Sequence, residues 1–243
     1  MWILGLDTST ALLSLALMND ERARNYEFFG SSPLSHNEEI LKLFIEACKK
    51  ASISPGEIGK IVLGLGPGSF TGLRIAFAFA KGLCLSLQKP ISGISSFMAC
   101  ASEYAEIDTL TFVISDAKRK EVFFAAYRCE GANKEIFTVS EERIVEASRI
   151  QNEIAVICAQ EALESYIVVS PCLDASLNGL LPELEIKGAS HLGLNLCRLS
   201  KDQSPLFSVE SLALLEPNYV RRPAAKSIAE RKRDKGKTIA SLA

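Results

Sequence analysis

Residues 60–74, KIVLGLGPGSFTGLR, combine glycines with hydroxyl side chains in a spacing that could bind an anion. The apolar run 61–65 predicts a buried strand, and Ser69 can cap a helix that starts directly after the loop. Unpaired amides and the positive end of a helix suit phosphate, although no Lys-Ser or Lys-Thr pair closes the loop as in a P-loop. A tight packing turn is an equally open interpretation. In both cases Gly66 and Gly68 are expected to hold positive or otherwise strained backbone angles.

Two aspartates that end predicted strands form the second part of this chemistry. Asp7 closes the strand 3–7, and Asp116 follows the strand 110–115. A phosphate hairpin usually has glycine after its aspartate, whereas alanine and the basic run 118–120 fill the second turn. This departure puts that turn in doubt as a phosphate loop and favours contact with an acidic partner. The candidate phosphate-loop residues are Asp7, Thr8, Ser9, Thr10, Gly66, Gly68, Ser69 and Asp116.

Metal-ligating side chains are few and scattered along the chain. The two histidines, His36 and His191, fall in different halves, and the seven cysteines include no CxxC pair. Zinc sites need clustered ligands, so we predict no metal site. The cysteines lie mostly among apolar neighbours, which indicates buried, reduced thiols.

The order strand, aspartate, turn, strand, strand occurs twice and indicates a duplicated architecture. A meander of strands opens the chain, and a similar series starts at residue 110. This repeat is typical of the two-lobed α/β fold of actin, sugar kinases and Hsp70, in which two hairpin turns face each other across a nucleotide cleft. We predict a first lobe over 1–106 with 205–222 packing back on it, a reduced second lobe over 107–204, and a basic tail over 223–243 that is expected to be disordered.

Two apolar helices are predicted side by side in the first lobe. Helix 35–50 is amphipathic, and helix 69–87 is apolar nearly all round, so both of its faces should be covered. Small residues recur every four positions from Gly72 to Cys84, which lets another helix approach closely; the chain's own sheet and a partner are both open as the cover. A further helix is predicted over 209–215. The predicted partner interface consists of His36, Ile40, Leu41, Phe44, Leu73, Ala76, Phe77 and Ala80.

Composition is that of an ordinary globular protein with an uneven charge distribution. The 243 residues are 48% hydrophobic, no apolar run reaches the roughly 18 residues of a membrane span, and the start, MWILGLDTST, lacks the basic segment of a signal peptide. We therefore expect a cytoplasmic protein without membrane contact. From Arg221 onward eight basic residues face two acidic ones, whereas residues 1–220 hold 19 basic and 27 acidic residues. Such a tail could contact RNA or stay solvated.

Seven segments occur in an order that resembles one protein family. GPGSFTGLR is highly specific to that family, and the whole series is similar to the TsaB (YeaZ) family of tRNA threonylcarbamoyladenosine biosynthesis. The resemblance runs over residues 3–221 and is weakest over 130–205. The segments are ILGLDTST (3–10), Ser35-His36, GLGPGSFTGLRIAFAFAKGL (64–83), ISGISSFMACA (91–101), Asp116-Ala117, Glu121-Val122-Phe123 and EPNYVR (216–221).

The resemblance implies a subunit with no catalytic activity of its own. It implies a heterodimer with a catalytic paralogue, TsaD, joined by the small ATPase TsaE, with tRNA contacted indirectly through the complex. When the chain is alone, a homodimer is expected. The complex transfers a threonylcarbamoyl group from its adenylate to the exocyclic amine of an adenosine next to the tRNA anticodon. The resemblance thus implies no catalytic residue and no tightly bound cofactor, and ATP or ADP is expected only at the complex interface.

Two departures from related sequences bear on that implied role. The catalytic paralogue binds a metal through two histidines four positions apart, and those positions fall at Ser96 and Cys100 here, a pair that rarely binds metal. The family usually has glycine where Lys120 stands. Such chains are also described as glycoprotease-like. Because serine and cysteine stand at the metal-ligand positions, we expect no proteolysis.

Two other functions stay open from the residues alone. An independently active, sugar-kinase-like ATPase would use Asp7 to orient a metal ion and Asp116 as a base. ATP hydrolysis by the isolated chain would distinguish it from a non-catalytic subunit. An RNA-binding module would act through residues 221–237 and bind tRNA in a salt-dependent way.

Overall fold

The computed structural model describes residues 1–30, 36–131, 134–173, 175–201 and 207–221, without the side chains of His36 and Asn37. Within these residues the element order βββαβαβα occurs twice. The strands are β1 (Trp2–Asp7), β2 (Leu13–Asn19), β3 (Arg24–Gly30), β4 (Ile58–Gly64), β5 (Ile91–Ile94), β6 (Leu110–Lys118), β7 (Glu121–Glu130), β8 (Glu135–Glu146), β9 (Tyr166–Ser170) and β10 (Ile186–Gly188). The helices are α1 (His36–Ala51), α2 (Phe70–Leu87), α3 (Ser96–Tyr104), α4 (Ile150–Glu161), α5 (Ala175–Leu180) and α6 (Leu192–Leu199).

Each repeat forms one five-stranded sheet, and the two sheets share one topology. The strand orders are β3-β2-β1-β4-β5 and β8-β7-β6-β9-β10. In both sheets the first three strands in the chain pair antiparallel, and the last two run parallel to the first. The second repeat is reduced, since β10 has three residues and α5 has six. This repeated order confirms the predicted two-lobed actin-like α/β fold.

Helices cover both faces of the first sheet, because successive residues of a buried strand point to opposite sides. On β1, Trp2, Leu4 and Leu6 pack in the core that α1 and α2 cover. Ile3 packs on the other face, in a core shared with α3, α6 and the second sheet. α4 and α5 cover the outer face of the second sheet. The fold is therefore built of five layers, with α3 and α6 in the middle.

The third helix of each repeat packs on the sheet of the other repeat. α3 contacts β6 and β9, whereas α6 contacts β1 and β2. Two glycines permit the second contact, because a Cβ atom on Gly5 would lie 2.1 Å from the carbonyl oxygen of Gly193. The Gly193 amide also donates to Ser14 Oγ at 2.9 Å. The ranges 1–106 and 107–204 stay a prediction of the lobe bounds, since α3 and α6 cross between the lobes in space.

The last described segment packs back on the first lobe. Phe207 pairs with Ile91, and Leu212 and Leu215 are buried in the core beneath α2. The helix predicted over 209–215 is wrong, since only a 3₁₀ turn at Leu212–Leu214 forms. The Ser208 amide donates to Ser211 Oγ, and such local side-chain bonds compete with helix formation. Ser35 and the predicted tail 223–243 lie outside the described residues.

The length of α2 differs from the expectation that no apolar segment is long enough to span a membrane. The helix is 18 residues long and is apolar enough, by length and composition alone, to cross a membrane. A helix that covers a sheet meets the same criterion, and α2 contacts β4, β1 and β5. Its buried residues follow the stripe of small side chains: Gly72, Leu73, Ala76, Phe77, Ala80 and Cys84. In this chain the stripe therefore faces the chain's own sheet.

Candidate functional site

A cleft of about 590 Å³ opens between the two hairpin turns. The β1–β2 turn and the loop before α2 form one wall, the β6–β7 turn forms the other, and residues 218–221 line its mouth. The two-lobed fold thus brings the two predicted phosphate turns to one cavity, although they are more than a hundred residues apart in the chain. Its lining residues include Ser9, Thr10, Gly68, Ser69, Asp116 and Lys118.

Asp7 lies beneath the cleft rather than in it. Its side chain is fully buried, and its Oδ1 accepts hydrogen bonds from the Ser9 amide at 2.8 Å and the Ser9 hydroxyl at 2.6 Å. Its Oδ2 accepts a hydrogen bond from Ser96 Oγ at 2.5 Å, and Ser96 Oγ in turn accepts from the Gly66 amide at 3.0 Å. The carboxylate is therefore occupied on both oxygens by groups of the chain itself, including one 89 residues away.

The glycine loop fits against the first hairpin turn with almost no space to spare. A Cβ atom on Gly64 would lie 1.9 Å from Asp7 Oδ2, one on Gly68 would lie 2.0 Å from the Ser9 carbonyl oxygen, and one on Gly72 would lie 2.1 Å from the Thr8 carbonyl oxygen. Real Cβ contacts do not come this close, so the loop requires glycine at all three positions.

Several polar groups that could bind a phosphate already form hydrogen bonds within the chain. The Ser69 amide donates to the Ser9 carbonyl at 2.6 Å, Thr8 Oγ1 donates to the Gly72 carbonyl at 2.7 Å, and Ser69 Oγ caps α2 by accepting from the Gly72 amide. Of the two strained angles expected, Gly66 has φ +93°, but Gly68 is not at positive φ. Gly68 is glycine because of the close approach to Ser9, not because of its backbone angle.

Asp116, the aspartate of the second turn, is neutralised by its own turn. Its Oδ1 accepts from the Lys118 amide at 2.6 Å, and its Oδ2 accepts from the Lys118 ammonium at 2.7 Å and from Ser176 Oγ at 2.8 Å. Burial alone would raise the pKa of Asp116, but these hydrogen bonds outweigh it and lower the pKa below its ordinary value. A carboxylate with a lowered pKa is a weak general base.

Three consecutive residues at the tip of the second turn adopt left-handed backbone angles. Lys118, Arg119 and Lys120 have φ of 65°, 62° and 62°, and all three are exposed. Side chains other than glycine, asparagine and aspartate are uncommon in this region. The structure thus displays three cations at the edge of the cleft in an unusual conformation.

Residues 216–221 tie the two lobes together across the cleft mouth. The Asn218 amide donates to the Leu65 carbonyl of the first lobe at 2.8 Å, and its Nδ2 donates to Glu142 Oε2 on β8 at 3.1 Å. Arg221 forms a salt bridge with Glu121 on β7. The sequence marks EPNYVR as a motif, but it gives no indication of this role.

Glu142 accepts hydrogen bonds from three separate segments of the chain, a role that the sequence does not predict. Besides Asn218, it accepts hydrogen bonds from the Ser95 hydroxyl, which caps α3, and from the Tyr127 hydroxyl at 3.0 Å. Burial and the Glu142 carboxylate raise the pKa of Tyr127 well above its ordinary value, so the hydroxyl keeps the proton that it donates. Glu142 is one of several acidic residues on an irregular strand, and no local pattern separates it from the others.

Ser96 and Cys100, which the resemblance places where a catalytic paralogue is expected to have metal-binding histidines, carry other chemistry here. Ser96 is occupied by Asp7 and Gly66. Cys100 is fully buried, and burial raises the pKa of its thiol well above the ordinary value, which keeps it protonated and a poor ligand. Among the described residues no group of three or more His, Cys, Asp or Glu side chains could hold a metal ion. All seven cysteines are unpaired thiols.

Most of the residues predicted to form the partner interface are buried in the structure. Six of its members are buried and cannot reach a partner from where they lie: Ile40, Phe44, Leu73, Ala76, Phe77 and Ala80. All of these except Leu73 pack in the core between the two helices and the first sheet. Leu41 does lie on the surface and is 53% exposed. His36 begins α1, but its side chain is outside the described part of the chain.

A groove between α1 and α2 exposes apolar side chains next to those buried positions. Its volume is about 590 Å³, and Leu41 and Phe70, which is 38% exposed, line it. Ile45, one helical turn after Leu41, is 46% exposed. The Arg74 guanidinium lies 3.8 Å from the Phe70 ring centre, and its Nε donates to the Tyr219 hydroxyl at 3.3 Å. The groove thus adjoins the segment that closes the cleft.

Comparisons with known proteins agree with the fold. Residues 32–181 match the family model described as TsaD, tRNA N6-adenosine threonylcarbamoyltransferase. The protein named tRNA threonylcarbamoyladenosine biosynthesis protein TsaB is 35% identical over 130 residues in Escherichia coli and 33% identical over 128 residues in Bacillus subtilis. These alignments cover 53% of this chain and 55% and 56% of the relatives, so the chain spans about half the length of the curated relatives that it matches.

Among solved structures, YeaZ from Pseudomonas aeruginosa superposes with a TM-score of 0.68 over 89% of this chain and 100% of that one. A second structure from the same organism, described as similar to peptidase YEAZ, gives 0.71 over 90% of this chain and 99% of that one. At 21% identity these likenesses show the fold alone. With the family model matching more than half of its residues, the chain belongs to the TsaD family, and the curated relatives that it resembles are TsaB proteins of tRNA threonylcarbamoyladenosine biosynthesis.

Proposed function

We propose that this chain is a non-catalytic subunit that supports threonylcarbamoyl transfer to the adenosine next to the tRNA anticodon, by forming a heterodimer with TsaD. The observation that carries the proposal is the state of Asp7. This carboxylate stands where an actin-like enzyme would orient a metal ion, yet it is fully buried and hydrogen-bonded on both oxygens. Magnesium and calcium need accessible oxygen ligands.

The polar groups around Asp7 support a structural role for the first hairpin turn. The turn holds the glycine loop through Thr8 and Ser9, and the loop starts α2. The turn therefore sets the position of the helix that borders the apolar groove. In this proposal, residues that bind phosphate in active members of the fold position a partner surface instead.

The same cleft weighs against an independent sugar-kinase-like ATPase. Such an enzyme would need Asp116 as a base, but Lys118 and Ser176 lower its pKa. It would also need open amides in the glycine loop, and the Gly66 and Ser69 amides are already bonded. We expect the isolated chain to hydrolyse no ATP above background. ATP hydrolysis that is lost in the Asp7→Asn variant would instead show that the chain is an enzyme.

The apolar groove between α1 and α2 supports the choice of a protein partner. Leu41 and Phe70 expose large apolar side chains in the groove, and Ile45 is exposed one helical turn after Leu41 on α1. Exposed apolar patches mark interaction sites. We assign this groove to TsaD in the complex and to a second copy when the chain is alone. TsaE would join the heterodimer, tRNA would be reached through the complex, and ATP or ADP would bind only at the complex interface of a cytoplasmic assembly.

Asp7→Asn tests the structural role of the buried carboxylate. We expect the variant to lose about 1–3 kcal/mol of unfolding free energy, because one of the hydrogen bonds to Ser9 and Ser96 is weakened or left unmade in the core. At a temperature where it is folded, its complex with TsaD should modify tRNA at the wild-type rate. Thermal unfolding and mass spectrometry of the tRNA nucleosides measure the two quantities.

Asp108→Asn is the matched control, because Asp108 is exposed, and it should change neither quantity. A modification rate that drops more than about a hundredfold in the folded Asp7→Asn complex would give Asp7 a catalytic role and contradict the proposal. That result would be separable from a folding defect, since unfolding is measured on the same preparation.

A further inference from the structure

We infer that residues 216–221 act as a strap that couples the closure of the two lobes to the shape of the apolar groove between α1 and α2. The last four residues of the strap line the mouth of the cleft, and the Tyr219 side chain contacts two residues that line the groove. Release of the strap would therefore alter the groove, and an occupant of the groove would hold the strap in place. That this occupant is TsaD rests on the proposed function.

Three side chains contact one another where the strap meets the groove. Phe70 and Arg74 line the groove. The ring centres of Phe70 and Tyr219 are 5.1 Å apart. The Arg74 guanidinium lies 3.8 Å from the Phe70 ring centre, and its Nε donates to the Tyr219 hydroxyl at 3.3 Å. Each contact favours a particular arrangement of the two groups, so the position of Tyr219 constrains both groove residues.

Phe70 also connects the groove with the cleft. It is the first residue of α2, and it lines both cavities. Tyr219, which packs against it, lines the cleft. If the strap left the cleft mouth, Phe70 would lose this aromatic neighbour, and Arg74 would lose the hydroxyl that accepts its hydrogen bond. The wall of the groove at the start of α2 would then be less ordered.

The strap is held on the second lobe by groups that do not line the groove. Asn218 donates to Glu142 on β8, and Arg221 forms a salt bridge with Glu121 on β7. Val220 packs against the core between the two sheets. None of these three strap residues lines the groove. The contacts with the second lobe can therefore be removed without replacing a groove residue.

These contacts are partly exposed, which allows the strap to leave the second lobe while both lobes stay folded. The side chains of Arg221 and Glu121 are 32% and 35% exposed. Exposed salt bridges contribute little stability, and segments with few buried contacts open more readily than the core does. The strap thus has a bound and a released state. Because coupling between two sites is reciprocal, a partner that favours the bound strap binds less well when the strap is released.

The first test removes the contacts between the strap and the second lobe in the isolated chain. Hydrogen–deuterium exchange of Asn218→Ala/Arg221→Ala is followed by mass spectrometry. We expect exchange at the strap and over residues 70–79 of α2 to rise at least about fivefold, the lower limit of typical coupling. Exchange in β6 should stay unchanged, which separates release of the strap from unfolding of the whole chain. Arg143→Ala, which removes a salt bridge between β8 and α4, is the control and should leave exchange at the strap and in α2 at wild-type values.

The second test starts from the groove. Phe70→Ala removes the ring against which Tyr219 packs, and Leu41→Ala removes an exposed side chain that lines the same groove. We expect the first variant, and not the second, to speed exchange at the strap.

The inference fails if the strap variant leaves residues 70–79 at wild-type exchange, or if exchange in β6 rises by the same factor. It also fails if Phe70→Ala leaves exchange at the strap unchanged, or if Leu41→Ala speeds it equally. Because both tests use the isolated chain, a failure of TsaD to bind would count against the proposed function and would not alter these readouts.

Discussion

Leu41→Glu/Ile45→Glu should leave the chain folded and abolish its co-purification with TsaD. Both side chains are about half exposed on α1, so a carboxylate at either position stays hydrated in the isolated chain. In the complex the same carboxylates would be buried against apolar surface, which costs several kcal/mol unless they are paired. We expect affinity for TsaD to fall at least a hundredfold, as for loss of an interface hot spot.

Val156→Glu is the control for this surface. Val156 is 43% exposed on α4, on the outer face of the second lobe, and its replacement should leave co-purification at the wild-type yield. Unchanged pairing of the α1 double variant would remove the groove from the interface. By contrast Ala76→Glu, at a buried position of α2, should unfold the chain and cannot report on the partner.

Gly68→Ala should destabilise the protein by about 2–3 kcal/mol, a typical cost of forcing an atom into a packed site. The added methyl group would lie 2.0 Å from the Ser9 carbonyl oxygen, so the hairpin turn and the start of α2 must move apart. For a chain of this size each kcal/mol lowers the melting temperature by roughly 2–4 °C. Thermal and denaturant unfolding measure the loss, and weaker TsaD binding should accompany it.

Gly82→Ala makes the same chemical change further along α2, where an added Cβ atom meets nothing within 4 Å. Alanine in an exposed helix position should stabilise the chain by up to about 1 kcal/mol. We therefore expect Gly68→Ala to lower the free energy of unfolding and Gly82→Ala to raise it. A fully stable Gly68→Ala protein that still binds TsaD but no longer supports modification would instead favour a nucleotide at the loop.

Much of the fold could be predicted because its strands and caps leave local signals. The strand predicted over 3–7, the start of the strand predicted at residue 110 and the cap at Ser69 all lie within one residue of their predicted positions. The repeated strand–aspartate–turn pattern then implied two lobes. These signals depend on alternation and capping, which act over a few residues.

The site could be predicted only in part because its decisive contacts are long-range. Nothing near Asp7 in the sequence reveals that Ser96 will occupy its Oδ2, and nothing near Asn218 reveals Glu142. An apolar helix face looks the same whether it meets a sheet or a partner, so the pattern of α2 placed Ala76 and Ala80 on the wrong side. Exposure of Leu41 follows from how the helices pack, which only the structure supplies.

Reconstitution of threonylcarbamoyl transfer from purified proteins tests whether this chain is a non-catalytic subunit that TsaD requires. This chain, TsaD and the two together, each with TsaE, are incubated with threonylcarbamoyl-adenylate and unmodified tRNA, and the modified adenosine is quantified by mass spectrometry. We expect no product from this chain without TsaD and multiple-turnover product only when both are present. Product formed by this chain alone, or undiminished product when it is left out, would contradict the claim.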